Sequence, residues 1–350
     1  MLPLSVCIIA KNEEKYIEKC LSALAPYGFE IILTDTGSTD RTVAIAGKYT
    51  DKIYHFDWCD DFSAARNYAI SQASNDLVLS LDCDEYLQTL DADALLQAVR
   101  SYPAAAGQIL LCNRYTTDGV TNYEHVRVSR LADRRIYHFV GAVHEQLEPI
   151  SGQPKTVYKA PIEVLHVGYD VSDAQMQEKA RRNIALLEKE IETCDSEPYL
   201  YYQLGQSYRR LRQYEKALSC FDMGLSMDVD PNLEYVQSMV EAYGYTLLDL
   251  KRNQEALNLL GIYDDFCKRA DFPFLMGLIY MNNGLFRQAI DEFQKATQMK
   301  NYCVDGVNSY KANYNAGVIY ECTGDKKNAK KAYQKCGDYE PALTRLSLLG

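Results

Sequence analysis

The segment 79–87, LSLDCDEYL, carries the residues best suited to chemistry, because an apolar run leads directly into Asp82, Asp84 and Glu85. Neighbouring carboxylates repel one another unless a cation or a hydrogen-bond donor lies among them. An Asp-x-Asp pair at a strand end can hold a hard divalent cation, Mg²⁺ or Mn²⁺, which takes a diphosphate on its other side. The pair therefore indicates a metal–diphosphate site, or instead the cap of a following helix.

The hydrophobic pattern predicts the elements that position this pair. Apolar, β-branched runs predict strands at 4–10, 30–35, 52–58 and 76–82, and helical spacing predicts helices at 14–24, 38–49 and 62–73. This alternation indicates a largely parallel sheet with helices on both faces. Ligands of such sheets bind at the carboxyl ends of the strands, where Asp82 lies.

Other acidic residues follow neighbouring strands. Asp35 closes the strand at 30–35, and the segment 11–14, KNEE, follows the first strand. Because the carboxyl ends of parallel strands lie along one edge of a sheet, we expect these residues on the same rim as Asp82. Asp35 could also serve only as a turn former before Gly37.

The middle of the chain has a mixed pattern. It predicts a helix at 92–101, strands at 107–115, 124–132, 135–147 and 161–169, and a long amphipathic helix at 173–193. The basic run 127–135 is either the solvated side of a strand or a segment near a phosphorylated ligand.

The C-terminal part repeats a Gly-to-Ala spacing of twelve residues. The pairs are Gly205 and Ala217, Gly244 and Ala256, Gly277 and Ala289, and Gly317 and Ala329. A bulky residue stands four positions after each Ala: Phe221, Leu260, Phe293 and Tyr333. Small residues let two helices cross closely, as in the tetratricopeptide helix pair of about 34 residues. The pattern predicts an all-α tetratricopeptide-like repeat domain, with an unrelated helical bundle as the alternative.

Charge and composition limit the classes of partner. The net charge of −11 disfavours nucleic acid as a partner. The 11 Cys are scattered without a CxxC pair, which indicates reduced, mostly buried thiols. No signal peptide is recognisable, and no apolar run approaches the roughly 20 residues that cross a membrane. We therefore expect a cytoplasmic protein without a transmembrane segment.

Three segments, CIIAKNEEKYIEKCLSAL, EIILTDTGSTDRTVAIA and DFSAARNYAISQASNDLVLSLDCDEYL, together resemble glycosyltransferase family 2, which has the α/β nucleotide-diphosphosugar fold called GT-A. FVGAVHEQL and VLHVGYD, followed by repeats, resemble a narrower bacterial subgroup, the sublancin-type peptide S-glycosyltransferases. The resemblance implies a GT-A catalytic domain at 1–170, a linking amphipathic helix at 171–197 and tetratricopeptide-like repeats at 198–350.

The resemblance also implies roles for individual residues. Those that match the nucleotide-sugar site are Ala10, Asn12, Glu13, Asp35, Arg66, Asn67 and Asp82. Asp84 matches the direct metal ligand, Asp82 a residue that contacts ribose or acts through water, and His166 a late ligand of the metal. An imidazole suits Mn²⁺ better than Mg²⁺.

Structural roles are the alternative for some of these residues. Arg66 could pair with Asp60 or Asp61 at the start of a helix, and His166 could be a buried, hydrogen-bonded histidine.

An inverting transferase needs a base that removes the acceptor proton. The family's usual Glu-Asp pair is absent, and His144-Glu145 stands in its place. We take Glu145 as the candidate base and His144 as the second candidate, although the two could be an exposed pair at a strand end. A Cys acceptor would reduce the demand on any base, because a thiol is already acidic.

These observations predict a metal-dependent glycosyltransferase that moves a sugar, with inversion, from a nucleoside diphosphate sugar, expected to be a UDP-sugar. The expected acceptor is a Cys or Ser side chain of a peptide held by the repeats. The alternatives are a transferase acting on a lipid-linked or surface saccharide and an inactive repeat-based peptide-binding scaffold. A nucleotidyltransferase is disfavoured, because IIAKNEE lacks a Gly/Arg-rich signature. Repeat domains often dimerise, so a homodimer also remains open.

Overall fold

The structure is a computed structural model that describes residues 2–117, 120–168, 173–193 and 197–349. The chain divides into two compact units, Met1–Gln175 and Met176–Gly350. The first unit combines strands and helices, and the second is built of helices.

The N-terminal unit contains an eight-stranded sheet and a two-stranded sheet. Its strands are β1 (Leu4–Ala10), β2 (Glu30–Asp35), β3 (Ile53–His55), β4 (Leu77–Asp82), β5 (Glu85–Leu90), β6 (Ala106–Thr117), β7 (Val120–Asp133), β8 (Tyr137–Val140), β9 (Gln146–Pro149) and β10 (Val157–His166). Its helices are α1 (Ile17–Leu24), α2 (Thr42–Ala46), α3 (Phe62–Ser71) and α4 (Ala92–Ser101). The larger sheet has the order β3-β2-β1-β4-β7-β6-β10-β5, and β8 pairs with β9.

Only part of the larger sheet is parallel. β1 pairs in parallel with β2 and β4, and β2 with β3, as the sequence predicts. β7 runs antiparallel to β4 and β6, and β5 runs antiparallel to β10. The prediction of a largely parallel sheet, made from the strands within 4–82, is confirmed for those strands. Beyond β4 the sheet is mixed, because β6 and β7 form a long hairpin, which needs no crossover helix, whereas β10 runs parallel to β6.

Side chains alternate along β1 between two cores. Leu4, Val6 and Ile8 pack in one core with residues of α1, α2 and α4. Cys7 points to the other face, into a core shared with α3, β8 and β9. Both faces of the sheet are therefore covered, as predicted for strands that are apolar throughout.

Some predicted elements differ in extent from the observed ones, and one observed strand was not predicted. α2 is shorter than the predicted helix at 38–49, because the backbone nitrogens of Ser38 and Thr39 donate to side chains outside the helix. The single strand predicted at 135–147 is two strands, β8 and β9, with a turn at Gly141, whose φ is +94°. β5 has no counterpart in the sequence prediction.

The C-terminal unit is helical throughout its regular structure. Its helices are α5 (Asp173–Ile191), which begins at the unit boundary, α6 (Pro198–Arg210), α7 (Tyr214–Leu225), α8 (Glu234–Asp249), α9 (Asn253–Ala256), α10 (Tyr263–Phe266), α11 (Asp271–Asn282), α12 (Phe286–Gln298), α13 (Tyr310–Cys322), α14 (Lys326–Gln334) and α15 (Glu340–Leu348). A 3₁₀ helix, Leu257–Ile262, lies between α9 and α10.

Three of the predicted glycines lie where paired helices cross. A Cβ atom on Gly205 would lie 2.4 Å from the Phe221 ring, and one on Gly277 would lie 2.5 Å from the Phe293 ring. Gly317 meets Tyr333 in the same way, at 2.5 Å. The small residue and the aromatic residue therefore form one packing unit, as the repeat pattern predicts.

The second repeat departs from this arrangement. Its second helix is broken into α9, the 3₁₀ helix and α10, and Leu260 is 44% exposed. Gly244 is covered instead by Leu259 and Leu275, which a Cβ atom would approach to 2.8 and 2.7 Å. Leu260 therefore does not pack against the repeat glycine as Phe221 does, because the second helix changes to a 3₁₀ helix at this point.

Within the described residues, no helix is long and apolar enough to cross a membrane.

Candidate active site

The turn that carries the two aspartates joins β4 to β5. β4 ends at Asp82, and the Oε2 atom of Glu85 at the start of β5 accepts a 2.9 Å hydrogen bond from the Asp82 backbone nitrogen. Because a strand follows the turn, the interpretation of Asp82 and Asp84 as helix caps is wrong. The cap of α4 is Asp91, whose side chain accepts from the backbone nitrogen of Ala94.

Asp84 faces His166, with 3.6 Å between Oδ2 of the carboxylate and Nε2 of the ring. The two residues are brought together because β10, which ends at His166, pairs with β5 on one side and β6 on the other. The Nδ1 atom of His166 donates to Oδ1 of Asn113 on β6 over 2.8 Å. This bond fixes the orientation of the ring, so that Nε2 lies on the side of Asp84.

Gly168 leaves the space that this pair occupies. A Cβ atom at Gly168 would lie 2.1 Å from Oδ2 of Asp84 and 2.6 Å from Nε2 of His166. The φ of Gly168 is not in the left-handed region. Glycine is therefore required here for space and not for backbone conformation.

The acidic surroundings favour the protonated ring of His166. Burial alone lowers the pKa of His166, but the hydrogen bond and charge of Asp84, with the charges of Glu85 and Asp82, outweigh burial and raise that pKa. Asp84 and His166 therefore attract each other and hold their positions within the unit.

Two arginines neutralise Asp82. Arg66 on α3 donates from Nη2 to Oδ1 of Asp82 over 2.7 Å and from Nη1 to Oγ of Ser80 over 2.9 Å. The Nη2 atom of Arg130 on β7 lies 3.4 Å from Oδ2 of Asp82. Burial raises the pKa of Asp82, but Arg66 and Arg130 outweigh it and hold that pKa well below its usual range. The chain itself thus supplies positive charge that the sequence analysis attributed to a bound cation.

Arg66 is buried, with 4% of its side chain exposed. Its Nε atom donates to Oε1 of Glu145, and its guanidinium lies 5.6 Å from the centre of the Phe139 ring. The alternative pairing with Asp60 or Asp61 is wrong, since Asp61 caps α3 through its own side chain.

The candidate base Glu145 belongs to the same cluster. Its Oε1 atom, bonded to Arg66, lies 3.8 Å from Nη1 of Arg130, and 9% of its side chain is exposed. The interpretation of Glu145 as part of an exposed pair is therefore wrong. His144 precedes it with a φ of +53°, a backbone conformation that few residues other than Gly adopt.

The amide of Asn67 joins two elements of the unit. Its Oδ1 atom accepts from the backbone nitrogen of Phe139 over 2.9 Å, and its Nδ2 atom donates to the Phe139 carbonyl over 2.8 Å. These bonds tie α3 to β8, the strand that leads to His144 and Glu145.

The remaining predicted residues line the ends of β1 and β2. Asn12 has a φ of +56°, and its Oδ1 atom accepts from the backbone nitrogen of Thr39 over 2.8 Å. The backbone nitrogen of Glu13 donates to Oγ1 of Thr42 over 2.7 Å, and Ala10 ends β1. These bonds join the loop after β1 to the loop after β2. Since β1, β2 and β4 are parallel neighbours, this loop pair lies on the rim that also carries the turn after β4.

Asp35, at the end of β2, accepts bonds from the backbone nitrogens of Gly37 and Ser38 at 3.2 and 3.1 Å. It therefore forms the turn that the alternative interpretation described. It also lies 3.7 Å from Nδ1 of His55, at the end of β3, so a polar side chain stands beside it on the rim.

Four residues of the site had no role predicted from the sequence. These are Glu85, Asn113, Arg130 and Gly168. Glu85 is 1% exposed, and burial and the charge of Asp82 raise its pKa. In the run 127–135, Arg135 is 65% exposed, whereas Arg130 contacts the acidic cluster. The interpretation of the run as a segment near a phosphorylated ligand stays a prediction. The sequence did contain one signal for Arg130, which is a charged residue next to apolar residues in a predicted strand.

Two family matches divide the chain as the fold does. Residues 5–148 match Glycosyl transferase family 2. Residues 198–228, 274–303 and 310–342 match the Tetratricopeptide repeat. The interval between the first two repeat matches contains the irregular second repeat.

Three curated proteins are similar in sequence to part of this chain. A TPR repeat-containing protein of Synechococcus elongatus is 34% identical over 59% of this chain and 52% of its own length. Glycosyltransferase SunS of Bacillus subtilis is 28% identical over 60% of this chain and 50% of its own. LpsC of Rhizobium meliloti, a lipopolysaccharide core biosynthesis glycosyltransferase, is 30% identical over 42% of this chain and 58% of its own length. The chain thus spans about half the length of the curated relatives that it matches.

Among solved structures, YrrB, a TPR protein with an unusual peptide-binding site, matches with a TM-score of 0.40 and 23% identity, over 49% of this chain and 84% of its own.

Proposed function

Because residues 5–148 match Glycosyl transferase family 2 and tetratricopeptide repeat matches follow them, we propose that this chain transfers a sugar from a nucleoside diphosphate sugar to an acceptor. The observation that carries the proposal is the Asp84–His166 pair beside the arginine-bound Asp82, at the carboxyl end of a central parallel strand. Such strand ends are where α/β sheets bind nucleotides.

Asp84 and His166 are the proposed ligands of a divalent cation. Among the described residues, no three His, Cys, Asp or Glu side chains are grouped as a metal site. One carboxylate and one imidazole nevertheless fit Mn²⁺, or Mg²⁺, because such ions complete their coordination with waters and phosphate oxygens. When bound, the ion would act as a Lewis acid that stabilises the departing diphosphate. Asp82 is engaged by Arg66 and Arg130, so its proposed role is to contact the donor and not the metal.

The donor, with UDP-sugar as the first candidate, would lie along the rim of the parallel strands. Asn12, Glu13 and Asp35 would take the nucleoside part, next to the end of β1 at Ala10. Arg66 would act by fixing Asp82 and Glu145, because its own charge is already bonded to them.

Glu145 is the proposed base for an inverting transfer, with His144 as the second candidate. Two guanidinium groups lie at its Oε1 atom, so it is suited to an acceptor whose proton is already acidic. A Cys thiol meets that condition better than a Ser hydroxyl. The proposed acceptor is therefore a peptide, which the C-terminal repeats would bind, since stacked helix pairs present extended binding surfaces.

A binding experiment with matched variants tests the donor and the metal together. UDP-, GDP- and CDP-sugars are titrated into the full chain by calorimetry, with Mn²⁺ and with EDTA. We expect one donor to bind in a Mn²⁺-dependent manner, Asp84→Ala to lose that dependence, and Asp93→Ala, an exposed change on α4, to retain it. Glu145→Gln should lower turnover and spare donor affinity. A folded wild-type chain that binds no donor would instead support the peptide-binding scaffold.

A saccharide acceptor is the second candidate, because the relative LpsC is named for lipopolysaccharide core biosynthesis. Transfer assays that offer a Cys-containing peptide and a lipopolysaccharide core oligosaccharide in parallel distinguish the two. Labelling of the oligosaccharide alone would reject the peptide acceptor.

A further inference from the structure

The two arginines of the site are held differently. Arg66 makes hydrogen bonds of 2.7 Å to Asp82 and 2.9 Å to Ser80, and it also donates to Glu145. Arg130 is held loosely, at 3.4 Å from Asp82, 3.7 Å from Glu85 and 3.8 Å from Glu145. Its Nη1 atom is buried and makes no hydrogen bond to any described residue. Arg130 therefore has hydrogen-bonding capacity that its present neighbours do not use.

The position of Arg130 shows which part of the site its unused hydrogen-bond donors face. β7 pairs with β4, with Leu131 opposite Leu79. Leu79 points into the core beneath α1, so Ser80 and Asp82 do not share its direction, and Arg66 contacts them both on the opposite face. Arg130 reaches the same face, because its Nη2 atom lies 3.4 Å from Oδ2 of Asp82. The guanidinium of Arg130 thus lies beside the end of β4, next to the turn that carries Asp84. Its side chain is 16% exposed, four times the exposure of Arg66.

We propose that Arg130 binds the diphosphate of the nucleotide donor, exchanging its long contact with Asp82 for phosphate oxygens. This inference rests on the proposed function, because it assumes that the site takes a nucleoside diphosphate. A guanidinium forms paired, charge-assisted hydrogen bonds with phosphate. When Arg130 turns away, Asp82 and Glu145 keep their bonds to Arg66, and Glu85 keeps the hydrogen bond from the Asp82 backbone nitrogen. Part of the nucleotide affinity is then independent of the metal.

Calorimetry on the full chain tests this role. The probes are the tightest-binding of UDP, GDP and CDP, its free nucleoside, and inorganic pyrophosphate, each with Mn²⁺ and with EDTA. We expect Arg130→Gln to weaken binding of the nucleoside diphosphate and of pyrophosphate at least about tenfold, in EDTA as well, and to change nucleoside affinity less than about twofold. Arg130→Lys, which retains the charge, should recover part of the loss. Arg135→Gln, from the exposed end of the same basic run, should bind as the wild type does.

The outcomes separate this role from a structural one. If Arg130→Gln loses nucleoside and nucleoside diphosphate affinity equally, Arg130 only maintains the shape of the rim and the proposal fails. Unchanged diphosphate affinity in that variant also overturns it, while leaving the proposed function intact. If the wild-type chain binds no nucleoside diphosphate at all, the proposed function fails and this inference fails with it. Arg130→Lys keeps the test decisive if the Gln variant does not fold.

Discussion

The Nη2 atom of Arg66 lies 2.7 Å from Oδ1 of Asp82, so a buried arginine on α3 neutralises the carboxylate that ends β4. The same arginine bonds Glu145, the proposed base, which is distant in sequence. One side chain therefore sets the distance between the strand end and the turn before β9.

Replacing Arg66 with Met should destabilise the N-terminal unit by about 3–5 kcal/mol, because the buried Glu145 and the partly buried Asp82 lose their shared partner. Urea unfolding of the full chain, followed by the fluorescence of Trp58 in that unit, measures the change. The matched control is Arg135→Met. The Arg135 side chain is 65% exposed, so loss of its pairs with Asp76 and Asp133 should lower the free energy of unfolding by less than about 1 kcal/mol. Equal effects of the two changes would show that the Arg66 pairs add no stability.

Gly168→Ala should disrupt the Asp84–His166 pair without unfolding the chain. The added methyl group would lie 2.1 Å from Oδ2 of Asp84, and the ends of both side chains must move away from it. We expect Mn²⁺ to enhance nucleotide binding much less in this variant. Gly47→Ala is the control, because the nearest atom to its Cβ is 3.6 Å away. Retention of wild-type Mn²⁺ dependence by Gly168→Ala would remove this pair from the metal site.

Gly277→Ala should destabilise the repeat unit by about 1–3 kcal/mol through overpacking, since the new methyl group meets the Phe293 ring at 2.5 Å. Gly261→Ala is the matched control, because no atom outside its immediate neighbours lies within 4 Å of its Cβ. Helix loss followed by circular dichroism during denaturation compares the two. A Gly277→Ala protein as stable as the control would mean that the helix crossing can relax.

The free energy of unfolding of the N-terminal unit should fall at low pH, because Glu30 becomes protonated. Burial raises the pKa of Glu30, but hydrogen bonds from Lys52, Ser5 and Ser74 outweigh burial and lower that pKa to about 2. The ordinary value is 4.5, so this stabilisation is complete above about pH 4.5 and is lost as the pH falls toward 2. Glu30→Gln should reduce the slope of unfolding free energy against pH in this interval. An unchanged slope would mean that these hydrogen bonds do not favour the ionised carboxylate.

The sequence alone determined the features that depend on local pattern. β1 and β2 were predicted to the residue, and β4 and α3 nearly so, because apolar periodicity and flanking turn residues lie within each segment. The repeats were predicted from the spacing of small and bulky residues, with the second pair as the exception. The sequence also predicted that Asn12, Asp35 and Asp82 lie on one rim of the sheet, since parallel strands place their carboxyl ends together.

The tertiary structure alone decided which side chains meet. Arg66, Asp82, Arg130 and Glu145 come from four separate elements, and their contacts depend on strand order and on β7 lying between β4 and β6. The order of a mixed sheet is set by long-range pairing, which leaves no periodic signal in either strand. For the same reason the sequence showed the acidic turn but not the arginines that neutralise it, nor the glycine that makes room for Asp84 and His166.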